Sequence, residues 1–312
     1  MLLATACTPV DADDAADDTD EETVDVRVGG GPDVESTLLA RTMTAMLTAE
    51  GLSAEMVPFS DARDARQALE LGAIDARPAY TGEAWLEDLG RADPPGDVRE
   101  SFVEVRDHDG EDDIVWLPPR FDDGTDTPPA NATFAFVVGG PPSVDAELTT
   151  VSQLATRLSE RPDATLCVDE EFASRSDGLR AVLIAYSVRS DQPVLAAAPD
   201  EVVGGVGSGE CIAGLTTATD GTAWQAGLRP LTDDLGVFPA FVVLPQVRRA
   251  AVDGTPGLRR ALAPMASELS TELLGSWNAR IVAGEPIEDV AEEGAQTLVE
   301  LAGRDAESLE DG

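Results

Sequence analysis

Residues 67–83, QALELGAIDARPAYTGE, decide how this chain is read. The apolar spacing over 67–71 predicts a helix, and Gly72 interrupts it with a turn. Residues 74–79 then predict a short strand. It ends at Tyr80, one of only two tyrosines in 312 residues, followed by Thr81 and Gly82. An aromatic side chain there sits where a parallel sheet opens into a ligand cleft. The plainer reading makes Tyr80 a half-buried core aromatic at a strand end.

Toward the N-terminus, residues 24–28 alternate as a strand and Gly29-Gly30-Gly31-Pro32 breaks it. Asp33 or Ser36 caps a helix reaching about residue 49. Residues 55–59 predict a second strand, and Asp61 or Asp64 leads into the helix that ends at Leu71. The order is βαβαβ, which implies parallel pairing and right-handed crossovers. The glycine loop lacks G-x-G-x-x-G in register and a following acidic ribose ligand, which argues against a nucleotide site.

Residues 84–89 predict a short helix. Beyond it, strands at 115–119 and 133–138 frame a loop rich in Asp, Pro and Gly. The α/β pattern then restarts, with helices at 151–157 and 178–186 and strands at 165–168, 212–217 and 228–231. Helices are expected at 256–265, 267–281 and 286–301. Two α/β units joined by crossings near 131–138 and 236–243, with the last helices returning to the first unit, make a hinge-closing ligand trap.

The chain carries 60 acidic residues against 21 basic ones, all arginine, for a net charge of -39. Such self-repulsion destabilises the compact state in dilute buffer. At about 1 M salt the Debye length falls to roughly 3 Å and most of it is screened. A protein adapted to high salt is the expectation. No basic patch meets phosphates, so a nucleic-acid partner is not expected. His108, the only histidine, lies in DHDGEDD and reads as part of a solvated turn. No metal site and no cofactor are expected.

Residues 1–23 form their own unit. MLLATAC is apolar, and eight acidic residues follow between Asp11 and Glu22, the composition of a disordered tether. Ala4-Thr5-Ala6-Cys7 is similar to a lipobox at the end of a truncated signal, which makes Cys7 a lipidation candidate. No later apolar run reaches the ~20 residues of a membrane span. Cys167 and Cys211 remain; export favours a disulfide between them, and two buried thiols are the alternative.

Several motifs together resemble one family, the substrate-binding proteins of ABC importers for glycine betaine, choline and other osmoprotectants. RQALELGAIDARPAYTGEA resembles its helix, G-x-I-D and P-x-Y-T-G-T. WLPPRF, then Asn131-Ala132-Thr133-Phe134, is similar to its N-N-T-Y region. Glu171-Phe172-Ala173-Ser174-Arg175-Ser176-Asp177-Gly178-Leu179 resembles E-F-x-x-R-x-D-G-L. Thr219-Asp220-Gly221 and the pair Leu231-Thr232-Asp233-Asp234 and Phe238-Pro239-Ala240-Phe241 complete the series.

The resemblance implies a two-lobed α/β fold of the type II periplasmic-binding-protein kind, with a hinge and an interdomain ligand cleft. Lobe 1 is expected from 24–132 plus 239–312 and lobe 2 from 133–238. It also implies a disulfide between Cys167 and Cys211. The implied ligand is a small quaternary-ammonium osmolyte, held by cation–π attraction at about 0.5–2 kcal/mol per contact. Tyr80, Phe134, Thr217 and Phe241 fall at the cage positions. Thr217 removes one aromatic wall unless Trp224, Phe238 or Trp116 replaces it. Around the first helix, GPDVES leaves Glu35 as the residue that matches the family.

Asn131, Arg175, Trp224 and Asp220 complete the candidate set. Each has a plainer reading: core packing for Phe134 and Phe241, turn residues for Asn131 and Asp220, a helix cap for Arg175. The sharper role of Arg175 is a carboxylate clamp or an ion pair between lobes, and Trp224 would sit at the cleft rim. The implied partner is an ABC permease, with the protein a monomer, lipid-anchored on the extracellular face of the cytoplasmic membrane. Another small zwitterion or an amino acid on the same fold is the second reading. Catalysis is not expected, since the proposed cleft offers no histidine and no nucleophile with a base.

Overall fold

A computed structural model of the chain describes residues 24–121, 128–140, 143, 145–175 and 178–310, with the side chains of 305–310 excepted. Among the described residues, ten strands form two five-stranded sheets. The first holds β1 (Val26–Gly30), β2 (Ala54–Pro58), β3 (Ala76–Tyr80), β4 (Ile114–Trp116) and β10 (Val243–Arg248), in the order β2-β1-β3-β10-β4. The second holds β5 (Phe134–Gly139), β6 (Leu166–Asp169), β7 (Val194–Ala197), β8 (Ala213–Thr217) and β9 (Leu228–Pro230), in the order β7-β6-β8-β5-β9.

As the βαβαβ pattern requires, β1 pairs in parallel with both β2 and β3. Asp33 accepts from Ser36 N at 2.8 Å and caps the helix Val34–Ala49. The helix Ala62–Leu71 stops at Gly72, whose φ of 75° is the left-handed C-cap that glycine adopts without a Cβ penalty. Strand β10 runs antiparallel to β3, with Tyr80 opposite Val243. That register carries the chain back into the first sheet late in the sequence. The terminal helix then buries Val290 and Leu298 in one core with Val28, Leu38 and Leu39.

Two chain segments cross between the sheets, and they are bonded to each other. Ala132 N donates to Phe241 O at 3.0 Å, Val243 N to Ala130 O at 2.9 Å, and Thr133 Oγ1 to Pro239 O at 2.5 Å. In the second sheet, helix Pro199–Ser208 packs Val202 and Val206 beside Cys167 and Cys211. The two cysteines form a disulfide, with their Cα atoms 5.6 Å apart.

Some local expectations move. The strand expected at 74–79 occupies Ala76–Tyr80, because the Ile74 N–H donates to Ala68 O at the end of the preceding helix and not to a neighbouring strand. The crossing at 236–243 becomes regular strand only from Val243. His108 lies in no turn; it belongs to the helix Val98–Glu111. This helix, like β7 and Pro199–Ser208, has no counterpart in the sequence reading. Its buried stripe of Phe102 and Val105 continues into Asp109, a carboxylate that apolar periodicity does not count.

Asp109 is fully buried. It accepts from Arg66 Nη1 at 2.7 Å and Nη2 at 2.9 Å, from Trp116 Nε1 at 2.7 Å and from Gln246 Nε2 at 2.7 Å. Burial alone would push its carboxyl up, yet the Arg66 guanidinium holds it below the usual range. Trp116 is therefore a buried donor on β4 and no substitute cage wall. Phe238 is not one either, being buried in the core of the second sheet.

Candidate ligand-binding site

The carboxyl ends of β1, β3 and β8 meet around a cavity of about 820 Å³ between the two sheets. Ligands of open α/β sheets bind at this end of the strands. Beyond β1, the turn to the helix Val34–Ala49 contributes Asp33 and Glu35; β3 contributes Arg77 and Tyr80. Thr217 closes β8, with Thr219 and Asp220 just after it. Phe241 comes from the crossing segment, and Asn278 from the helix Thr271–Val282.

Glu35 organises one wall. Its Oε1 accepts from the Tyr80 hydroxyl at 2.9 Å and its Oε2 from Asn278 Nδ2 at 2.6 Å. Burial pushes the Glu35 carboxyl up, opposed by the hydrogen bonds from its partners. Burial, together with the charge of Glu35, pushes the Tyr80 phenol well above its usual range, so it stays a donor. Asn278 Nδ2 also donates to Thr219 O at 2.9 Å, tying this wall to the loop after β8.

Phe241 reaches the cavity because Gly82 lacks a side chain. A Cβ at Gly82 would lie 2.7 Å from two ring atoms of Phe241 and 2.8 Å from Ala240 O. Tyr80 and Phe241 are the aromatic residues lining the cavity among the described residues. Arg77 donates from Nε to Gln246 Oε1 at 2.7 Å and from Nη1 to Ala62 O at 2.9 Å. Its neighbour Glu83 is pushed up by burial, against the pull of Arg77.

Of the residues singled out from sequence, Tyr80, Thr217, Asp220 and Phe241 line the cavity, while Phe134, Asn131, Arg175 and Trp224 lie outside that lining. Phe134 pairs with Thr217 in the sheet, but its ring packs 5.0 Å from that of Phe172, centroid to centroid. Asn131 supports the site indirectly: its Oδ1 accepts from Phe241 N at 2.7 Å and its backbone N donates to Thr271 Oγ1 at 3.0 Å. Asp220 caps the helix Gly221–Gln225, accepting from Thr222 N at 2.8 Å.

Trp224 donates from Nε1 to Ala218 O at 2.9 Å and packs on the helix Thr271–Val282, where a Cβ at Gly275 would come within 2.2 Å of its Nε1. It packs the helix Gly221–Gln225 against the helix Thr271–Val282. Arg175 is exposed after the helix Glu170–Ser174, with its guanidinium 5.9 Å from the Phe172 ring centroid. Cys7 lies outside the described residues.

Sequence reasoning missed Asn278, Arg77 and Glu83 as cavity residues. Asn278 left a trace, as a poor helix former directly after Trp277 inside an expected helix. Arg77 left another, as a charged residue inside a strand that buries its neighbours.

A chain that builds two α/β sheets, crosses between them, and opens a cavity where they face one another is a solute-binding protein of the periplasmic-binding class. It belongs to the family of substrate-binding domains of the ABC-type glycine betaine transport system, whose model matches residues 24–293. A glycine-betaine-binding protein of Pseudomonas aeruginosa is 26% identical over 266 residues, covering 82% of each chain. Apo YehZ from Escherichia coli superposes with a TM-score of 0.78 at 25% identity, over 87% of this chain and 98% of that one. A glycine betaine/carnitine/choline ABC transporter structure gives 0.74 at 20% identity, over the same shares.

Substrate-binding proteins of ABC importers work outside the cytoplasm. Among the described residues, no helix is long and apolar enough to cross a membrane.

Proposed function

We propose that the cavity captures a small quaternary-ammonium osmolyte, such as glycine betaine or choline, and that the protein delivers it to an ABC permease. One observation carries this: Tyr80 and Phe241 present aromatic rings to a cavity that also holds the carboxylates of Asp33, Glu35, Glu83 and Asp220. A quaternary head has no N–H to donate, so ring faces and negative charge are what attract it. Lobe 1 comprises 24–132 with 239–312 and lobe 2 comprises 133–238. The hinge lies in the two bonded crossings, and closure traps the ligand between the lobes. The protein acts as a monomer, does no chemistry on its ligand, and is held at the outer face of the membrane by lipid on Cys7.

Titration calorimetry in concentrated salt with glycine betaine, choline, carnitine and proline betaine tests the ligand. Heat or a rise in melting temperature with one of them is expected; silence with all four refutes the assignment. Intact mass of the protein taken from its cells tests the lipid. Thr217 in place of an aromatic wall favours one second reading, a small zwitterion or amino acid without the trimethyl head. A tighter non-quaternary ligand in a screen would establish it.

A further inference from the structure

Apart from the two crossings, the sheets are joined through a pair of helices. The helix Gly221–Gln225 follows β8 and leads into β9, so it travels with the second sheet. The helix Thr271–Val282 buries Leu274 and Trp277 in the core of the first. These two helices pack directly on each other. A glycine on each side permits the approach. A Cβ at Gly221 would lie 2.6 Å from Asn278 O, and one at Gly275 would run into the Trp224 indole, 2.7 Å from its Cδ1.

Hydrogen bonds fasten this seam. Asn278 Nδ2 donates to Thr219 O at 2.9 Å and to Glu35 Oε2 at 2.6 Å, which joins the loop after β8 to the first turn of the helix after β1. Trp224 Nε1 donates to Ala218 O at 2.9 Å, and the Arg229 guanidinium lies 5.4 Å from the indole centroid, so the ring is held in place against Gly275. Thr219, Asp220, Gly221 and Asn278 all line the ligand cavity. The seam is therefore part of the cavity wall, and parting it opens the cavity. Each contact named here joins one protein group to another and exists whether or not a ligand is bound.

We propose that the seam is a latch that holds the two lobes closed by itself, so that its opening gates both entry and release of the ligand. This inference rests on the two-lobed, hinged reading proposed above and assigns the contact that keeps it shut. A contact of equal strength in the free and the bound protein cannot shift the equilibrium between them. Weakening the latch therefore speeds passage in both directions and leaves affinity nearly where it was.

Gly275→Ala tests this. Alanine favours a helix more than glycine does, so the helix itself is not weakened, and Gly275 is not among the residues lining the cavity. Small-angle X-ray scattering on the ligand-free full chain in concentrated sodium chloride should give a larger radius of gyration for Gly275→Ala than for the parent. Trp224→Ala deletes the ring of the seam and should expand the chain likewise. The double variant should be no more expanded than Trp224→Ala, because the new methyl then meets nothing. Stopped-flow tryptophan fluorescence, with whichever of glycine betaine and choline the parent binds more tightly, should show association and dissociation both about fivefold or more faster in Gly275→Ala. The dissociation constant should change less than either rate. Unchanged scattering in both single variants, with melting transitions that confirm their fold, overturns the latch, and so does dissociation that accelerates alone. A parent that binds neither solute overturns the quaternary-ammonium reading, and scattering still decides the latch.

Discussion

The Tyr80 hydroxyl donates to Glu35 Oε1 at 2.9 Å, which fixes the aromatic ring at the end of β3 to the first turn of the helix after β1. Tyr80→Ala should weaken a quaternary ligand by roughly 1–3 kcal/mol in calorimetry, through loss of a ring face. Tyr80→Phe keeps the face and leaves Glu35 short of a donor. It should retain most of the affinity and lose about 1 kcal/mol of stability to denaturant. Unchanged affinity in folded Tyr80→Ala would return Tyr80 to a packing role.

The same carboxylate makes ligand capture depend on pH. Burial raises Glu35 above its ordinary value of 4.5, so the folded protein holds its proton to higher pH than the unfolded chain does. Its contribution to stability is therefore lost as pH rises through the raised value, and regained on acidification. Cation affinity runs the other way, because protonation removes a negative charge from the wall. Between neutral pH and about pH 5, affinity for a quaternary cation should fall as the protein itself grows no less stable at this site. Glu35→Gln should remove part of that fall, Glu83 being raised by burial in the same cavity and supplying the rest, and a wild-type profile that is already flat would remove both from the ligand's surroundings.

Asp109 should matter for stability and not for binding. It is the acceptor on which Arg66, Trp116 and Gln246 converge, and Gln246 in turn holds Arg77. Asp109→Asn leaves the buried Arg66 with less compensation, at a cost of about 3 kcal/mol in denaturant unfolding. A variant as stable as the parent would show that Asp88 and Glu70, which lie 3.1 Å and 2.7 Å from Arg66, are sufficient partners.

The whole-molecule charge of -39 predicts a melting temperature that climbs between about 0.1 and 3 M salt, as screening relieves repulsion among surface carboxylates. A flat or falling curve in a thermal scan would refute adaptation to high salt.

Much of the architecture was legible. The period-2 and period-3.6 patterns around residues 24–80 name three parallel strands and two helices, and their order leaves few topologies. Gly72 marks a helix end by local chemistry, while of the cap candidates Asp33 or Ser36 and Asp61 or Asp64 the structure uses Asp33 and Asp61. The site was legible only in part. Tyr80 and Phe241 stood out as aromatics in matching motifs, whereas Phe134 in an equivalent motif turns into the core with Phe172 and Phe238. Both faces of a buried strand look apolar in sequence, so the side to which Phe134 turns is not written there.

By itself, the sequence determined the class of the protein: its alternation of strands and helices, its aromatic-glycine turn at Tyr80, and its acidity all reside in short windows or in composition. The tertiary structure alone decided who meets whom. Asn278 and Glu35 lie 243 residues apart and touch because β10 returns the chain to the first sheet, with Tyr80 opposite Val243. Asp109 is a solvated acid in the sequence and a buried hub in the fold for the same reason. Strand register and the packing of distant helices set these contacts, and no local periodicity encodes them.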